Sequence, residues 1–174
     1  MLEKQAPYPA MLLDSNYDIL AANPAFDRLL SLIAPLEALW SRVSGGHSGR
    51  NLLRLTFHAD GLIHYMREPA RWLPQQWQRI VHDASCQALI AEIATWPHAH
   101  FWLGNPEPEQ LEPALLEHYQ LDGHPIDLLS MMVSPGVPAD ITAASLRVNL
   151  LFPANEITDR WLTDLEGRVP SDRE

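Results

Sequence analysis

The chain has 174 residues, a formal net charge of −10 and a pI near 5.1. That is enough for one domain with a sizeable core, without the cationic surplus that displaces counterions from a nucleic-acid backbone. Hydrophobic residues make up 47%, ordinary for a globular chain; no apolar run reaches membrane-spanning length, and a lone Cys86 excludes an intrachain disulfide and fits a reducing, cytoplasmic setting.

Met1 to Pro9 reads as a lead-in or linker without the basic-then-apolar layout of a secretion signal. The domain proper is expected over 10–167, with 168–174 as a tail. Met11, Leu12 and Leu13 form a short apolar run, broken by Asp14, Ser15 and Asn16, whose side chains bond their own backbone in turns. Tyr17 to Ala22 resumes an extended run, a hairpin signal. Asn23 precedes Pro24, the pairing of a cap with a first helical residue that has no N–H to satisfy. Phe26, Leu29, Leu30 and Ile33 follow at helical spacing. This strand, turn, strand, capped-helix opening resembles a PAS-type sensor domain, although many α+β domains begin as β-β-α.

Pro35 introduces a helix over Leu36 to Val43. Three glycines between Ser44 and Gly49 make a loop. It is not followed by the Lys-Ser/Thr of a phosphate-binding loop. Asn51 to Trp96 is mainly helical. Asp60 is expected to cap a turn holding Ile63, Tyr65 and Met66. Pro74 marks the expected start of a helix through Trp77, Ile80 and Val81. Asp83 or Ser85 opens the next helix, which carries Leu89, Ile90, Ile93 and Ala94. A loop is expected at His98 to Pro108 and a short helix over Glu109 to Tyr119, with acids near the positive end of its dipole. His124 to Val133 is strand-like, Ser134 to Pro138 a turn, and Ser145 to Phe152 a strand with Leu146, Val148, Leu150 and Phe152 on one face. A final helix to Leu165 buries Trp161, Leu162 and Leu165. The expected fold is α+β. Strands from both ends of the chain pair in an antiparallel sheet, covered by the helical middle segment and the C-terminal helix.

Three stretches carry a more specific resemblance. The first is Ala6-Pro7-Tyr8-Pro9-Ala10 leading into Leu12-Leu13-Asp14 and Ile19-Leu20-Ala21-Ala22-Asn23. The second is Asn51-Leu52-Leu53-Arg54-Leu55-Thr56-Phe57-His58, followed by an acid and Gly61-Leu62. The third runs from Asp140-Ile141-Thr142 through Leu146-Arg147-Val148 to Phe152-Pro153-Ala154. In order and spacing they are similar to the C-terminal ligand-binding domain of MmyB-like transcription regulators of the bacterial XRE (helix-turn-helix) class. The resemblance implies a PAS-like domain that binds a small, largely apolar ligand such as a fatty acid. It also implies that DNA is met only through a helix-turn-helix domain, for which the residues before Ala10 leave no room.

The leading expectation is a sensor module with a pocket between the sheet and the helical middle. Candidate lining residues, chosen by type and placement, are Phe57, Tyr65, Trp72, Trp77, Leu129, Met131, Leu146 and Val148, with Arg54 as partner for a carboxylate. For any one of them the reading as an ordinary core residue is the favoured one. An enzyme is disfavoured. His58 and His64, six apart, do not stack on one helical face, His98/His100 lack an obvious third ligand, Cys86 reads as packed inside a helix rather than as a nucleophile with a base and a lowered pKa, no Gly-x-Ser-x-Gly elbow occurs, and no His is marked out for haem. Neither metal nor cofactor is expected. The alternative is a PAS-like interaction module that forms a homodimer through Met1 to Pro9 or Ile157 to Leu165, with no membrane partner.

Overall fold

The computed structural model describes residues 2–104, 115–134 and 146–167. The opening hairpin pairs β1 (Ala10–Leu13) with β2 (Ile19–Ala22). Its turn is held by the Asp14 carboxylate, which accepts from the backbone N–H groups of Asn16 at 2.8 Å and Asp18 at 2.9 Å. Asn23 then does more than cap a helix. Its Oδ1 accepts from the Phe26 N–H at 3.1 Å, starting α1 (Pro24–Ser31), and from the Ala10 N–H at 3.0 Å. Its Nδ2 donates to the carbonyls of Tyr8 at 2.9 Å and Leu2 at 3.2 Å. One buried amide therefore fixes the lead-in, the first strand and the first helix together.

α2 (Leu36–Val43) and α3 (Leu52–Phe57) follow, the latter capped by Asn51, which accepts from the Arg54 N–H at 3.1 Å. Gly61 lies so close to α3 that a Cβ would come within 2.1 Å of the Leu55 carbonyl oxygen, so only glycine permits this return of the chain. The turn at Leu62–Tyr65 has Gly61, not Asp60, at its start, with no side-chain cap. α4 (Pro69–Ile80) begins more than a turn before Pro74, which lies inside it. Pro69 occupies the position where a missing N–H is harmless, and Pro74 forgoes one backbone bond within a helix whose buried Trp72, Leu73, Trp77 and Ile80 hold it to the core. Asp83 accepts from the Ser85 N–H at 3.0 Å and leads through a 3-10 turn into α5 (Gln87–Ile93).

Leu115 to Tyr119 is not helical. These residues belong to β3 (Leu115–Leu121), paired with β4 (His124–Val133) across a two-residue Asp122-Gly123 turn in which both φ angles are positive. Such a turn matches the twist of an antiparallel hairpin. The rest of the expected helix and most of the expected turn after Ser134 lie outside the described residues, as does Ser145. β5 (Arg147–Pro153) and α6 (Glu156–Gly167) close the fold.

The five strands run in the order β2-β1-β5-β4-β3, with antiparallel neighbours throughout. This is a mixed α+β arrangement of the PAS-like kind. The first and last strands meet in the middle, Leu12 opposite Val148 and Ala10 opposite Leu150. α1, α3 and α4 cover one face. α6 packs on β4 and β5 and touches α1, burying Trp161, Leu162 and Leu165. Within the helical layer, Phe57 meets Trp102 and Trp77 edge-on at 5.1 and 5.7 Å. Each such buried ring contributes about 1.5–3 kcal/mol from burial and each ring pair about 0.5–1.5 kcal/mol more.

Candidate functional site

Register decides which side chains meet the helices. Opposed residues on neighbouring strands share a face, so Met11, Asn149 and Met132 form one row, and Leu151, Ser130 and Leu115 the next. Glu117 pairs with Leu128, and Tyr119 and Leu121 continue along β3 on the same side. From across the gap come Phe26, Leu29 and Leu30 of α1, Leu53, Thr56 and Phe57 of α3, and Gln76, Arg79 and Ile80 of α4. Together with Tyr17, Leu52 and Leu62 these residues line a partly open cavity of about 250 Å³.

Its lining is mostly aliphatic and aromatic, interrupted by one polar strip. The Tyr119 hydroxyl donates to the Glu117 carboxylate at 2.8 Å, and the Ser130 hydroxyl donates to Asn149 Oδ1 at 3.0 Å. Burial raises the Glu117 carboxyl above the usual carboxylate range, against the hydrogen bond from Tyr119 and the positive charge of Arg79. Burial, with Glu117 alongside, likewise raises the Tyr119 phenol. Opposite the sheet, Gln76 is 7% exposed and its Nε2 has no hydrogen-bond partner among the described residues.

Of the side chains expected from sequence to line a pocket, Phe57 does. Trp77 is buried behind Phe57 and outside the lining. The Trp72 ring lies tilted against that of His118 of β3, with centroids 4.4 Å apart. Tyr65 is half-buried beside His64. Leu129, Met131 and Val148 point to the opposite side of the sheet, and Leu146 precedes β5. Arg54 is buried, with its guanidinium bound to both Glu92 carboxylate oxygens at 2.7 and 2.6 Å. That pair lines a separate polar groove with Asn16, His47, Ser48 and Cys86. Leu129, Met131 and Val148 are each one position from the cavity-facing Ser130, Met132 and Asn149, and in a sheet one residue exchanges the faces. Burial of polar Asn149 and half-burial of Ser130 on the inner face concealed the alternation. The helical spacing of Gln76, Arg79 and Ile80 was a readable signal for the missed polar strip.

Elsewhere, no three His, Cys, Asp or Glu side chains among the described residues converge to hold a metal ion. Burial pushes the Cys86 thiol up to about 11, with the Asp83 charge adding to it, so the sulfur stays protonated rather than becoming a nucleophile. No helix among the described residues is long and apolar enough to cross a membrane. The arrangement can enclose a small, mainly aliphatic guest. A protein-family model described as the MmyB-like transcription regulator ligand binding domain matches residues 1–165. No curated protein matches the chain.

Proposed function

The chain belongs to the MmyB-like transcription regulator ligand binding domain family, and from that membership we propose that it is the sensor of a transcription regulator, taking a small aliphatic molecule into the cavity between sheet and helices. The observation that carries this reading is the 250 Å³ space walled by Met11, Phe26, Leu29, Leu30, Phe57, Leu128 and Leu151. Natural ligand sites have this composition, apolar walls with a few polar groups. An engineered apolar cavity of about 150 Å³ holds benzene, so this one accommodates a guest of about ten non-hydrogen atoms. Short fatty acids and similar chains are in that class.

The guest would touch α1, α3, α4 and four strands at once. Occupancy then favours whichever arrangement of these elements closes best around it, and a ligand shifts a regulator only by binding two states unequally. The response would reach DNA through a helix-turn-helix domain on another segment. The test is solvent extraction of the purified protein with mass spectrometry of the extract, followed by titration of the emptied protein with short aliphatic compounds. A co-purifying guest or saturable binding supports the reading, and neither would end it.

A second reading, pairing of two copies, is favoured by the outer sheet face. Leu12, Leu129, Met131, Val133, Val148, Leu150 and Phe152 share it, and Met131 and Val133 are each 46% exposed. Contiguous apolar surface of this kind marks interaction sites. Size-exclusion chromatography with light scattering tests it, with Met131→Asp expected to shift a dimer to monomer.

A further inference from the structure

We infer that Arg79 reads the polar end of the guest, holding an anionic head where the cavity meets water while the aliphatic tail lies inside. This rests on the cavity being the ligand site and concerns the orientation of the ligand and the sign of its head group. The first observation is where the cavity opens. Of the residues that line it, Arg79 in the last turn of α4 and Met132 near the end of β4 are exposed, and the others are buried or half-buried. Along β4 the inward side chains pass from Met132 at 44% exposure through half-buried Ser130 to Leu128 at 1%. Taking a charge out of water is expensive unless it is paired, so a charged head stays at the exposed part of the lining and the tail takes the apolar interior.

The second observation is the charge found there. Arg79 is the one cation among the described residues of the lining, and its charge is felt by the Glu117 carboxyl, so the guanidinium belongs to the cavity as well as to the surface. A guanidinium offers several N–H donors in a fork that matches an oxyanion, and can take one while keeping a protein contact. Glu117, the one carboxyl of the lining, differs in place. It is half-buried and already accepts from Tyr119 at 2.8 Å. A cationic head would have to give up water to reach it, whereas an anionic head at Arg79 keeps its water. The third observation concerns Arg54, the cation that sequence made the natural carboxylate partner. Its guanidinium is bound to both oxygens of Glu92 in another groove, which leaves the role to Arg79. The ligand class is a short single-chain amphiphile with an anionic head, a carboxylate or a sulfate ester.

The experiment compares octanoate, octyl sulfate, octanamide and octylamine, which have tails of about the same length and differ in the charge of the head, at about pH 7.5, where the carboxylate and the ammonium are both ionised. Affinity is measured by calorimetry, and occupancy of the cavity by the methyl NMR signals of methionine. Met11 and Met132 line the cavity, while Met131 faces away and serves as the internal control. The expected result is that both anions bind at least about threefold more tightly than octanamide, the scale of an exposed charge pair, and that octylamine binds most weakly. Raising salt from about 0.05 M to about 0.5 M should narrow that advantage, because exposed charges are screened. Arg79→Gln should bring octanoate to the level of octanamide while changing octanamide by less than about twofold, and Arg79→Lys should keep part of the difference. If Arg79→Gln folds poorly, the salt dependence of the wild type decides, and an advantage unchanged at high salt overturns the inference. Octanoate no tighter than octanamide, or an advantage that survives in folded Arg79→Gln, would overturn it while leaving the sensor reading intact. Octylamine as the tightest compound would overturn it in favour of Glu117. If none of the four moves the Met11 and Met132 signals, the sensor reading itself fails.

Discussion

The Arg147 guanidinium donates to the Asp83 carboxylate at 2.8 Å, joining β5 to the connection between α4 and α5. The same guanidinium lies over the Tyr17 ring, 4.8 Å from its centroid, and the Tyr17 hydroxyl donates to Asp83 at 3.3 Å. Tyr17 lines the cavity, so this cluster ties the sheet, the first hairpin turn and the helical layer at one edge of the candidate site. Burial, with Asp83 and Cys86 nearby, pushes the Tyr17 phenol up to about 12 although the Arg147 charge lowers it, and the ring therefore stays neutral.

Asp83 supplies the first prediction. Burial works to raise its carboxyl, but hydrogen bonds from Arg147 and Ser85 and the Arg147 charge outweigh it, leaving the group below the usual carboxylate range. A depressed carboxylate contributes stability that is present above the ordinary range and lost as pH falls through the lowered value. Asp83→Asn is expected to cost about 1–3 kcal/mol near neutral pH, because it leaves a mostly buried Arg147 without its charge partner. The gap between variant and wild type should shrink in acid. Urea unfolding at the two pH values checks it, and a gap equally wide in acid would assign the loss to packing.

Asn23 gives the second. Asn23→Ala removes the α1 cap, the acceptor for the Ala10 N–H and both donors to the lead-in at once. A cap alone is worth about 1 kcal/mol, and buried groups left unpaired add to it, so the expected loss is about 2–4 kcal/mol by urea unfolding. Asn23→Asp keeps the oxygen acceptor and loses the donors, and should fall between. Equal losses in the two variants would mean that the tether to Leu2 and Tyr8 carries the effect.

The opening of the chain was legible because its chemistry is local. The Asp14 turn and the Asn23 cap before Pro24 act on residues within four positions and stand where the sequence places them, whereas the bonds of Asn23 to Ala10, Tyr8 and Leu2 and the cap at Asn51 carried no such signal. β4 and α6 were legible from length and period. β3 was not, because Glu117 points inward where alternation calls for an apolar residue, and the acidic lead-in imitated a helix start. The Asp122-Gly123 pair was the available hairpin signal. The inner face was hidden for a related reason. Val148, Leu150 and Phe152 are the more hydrophobic set on β5, yet Asn149 and Leu151 face the helices. A cavity wall has looser packing demands than a filled core, so a polar side chain such as Asn149 is tolerated there.

A third prediction tests that assignment of faces. Leu128 lines the cavity, and Leu129, its neighbour in sequence, lies on the other side of the sheet. Leu128→Phe fills part of the space and should lower octanamide affinity by about tenfold or more, and any overpacking would cost about 1–3 kcal/mol of stability. Leu129→Phe should leave affinity within about twofold, since added bulk there enters no cavity. Calorimetric titration of both folded variants distinguishes the faces, and the opposite ranking would reverse the register argument.

Glu117 provides the last prediction, opposite in sign to that of Asp83. Its carboxyl is raised by burial above the value it has in an unfolded chain, so between those two values the native state holds a proton that the unfolded state has lost. Stability then falls as pH rises through that window, because the native state binds more protons there. Glu117→Gln keeps an oxygen to accept from Tyr119 and carries no charge, so it lacks this fall. The variant should match the wild type in acid and exceed it increasingly toward neutral pH, each kcal/mol gained reading as roughly 2–4 °C in Tm for a chain of this length. Thermal unfolding across the pH series checks the slope. A variant less stable than the wild type at neutral pH would mean that the attraction to Arg79 outweighs burial.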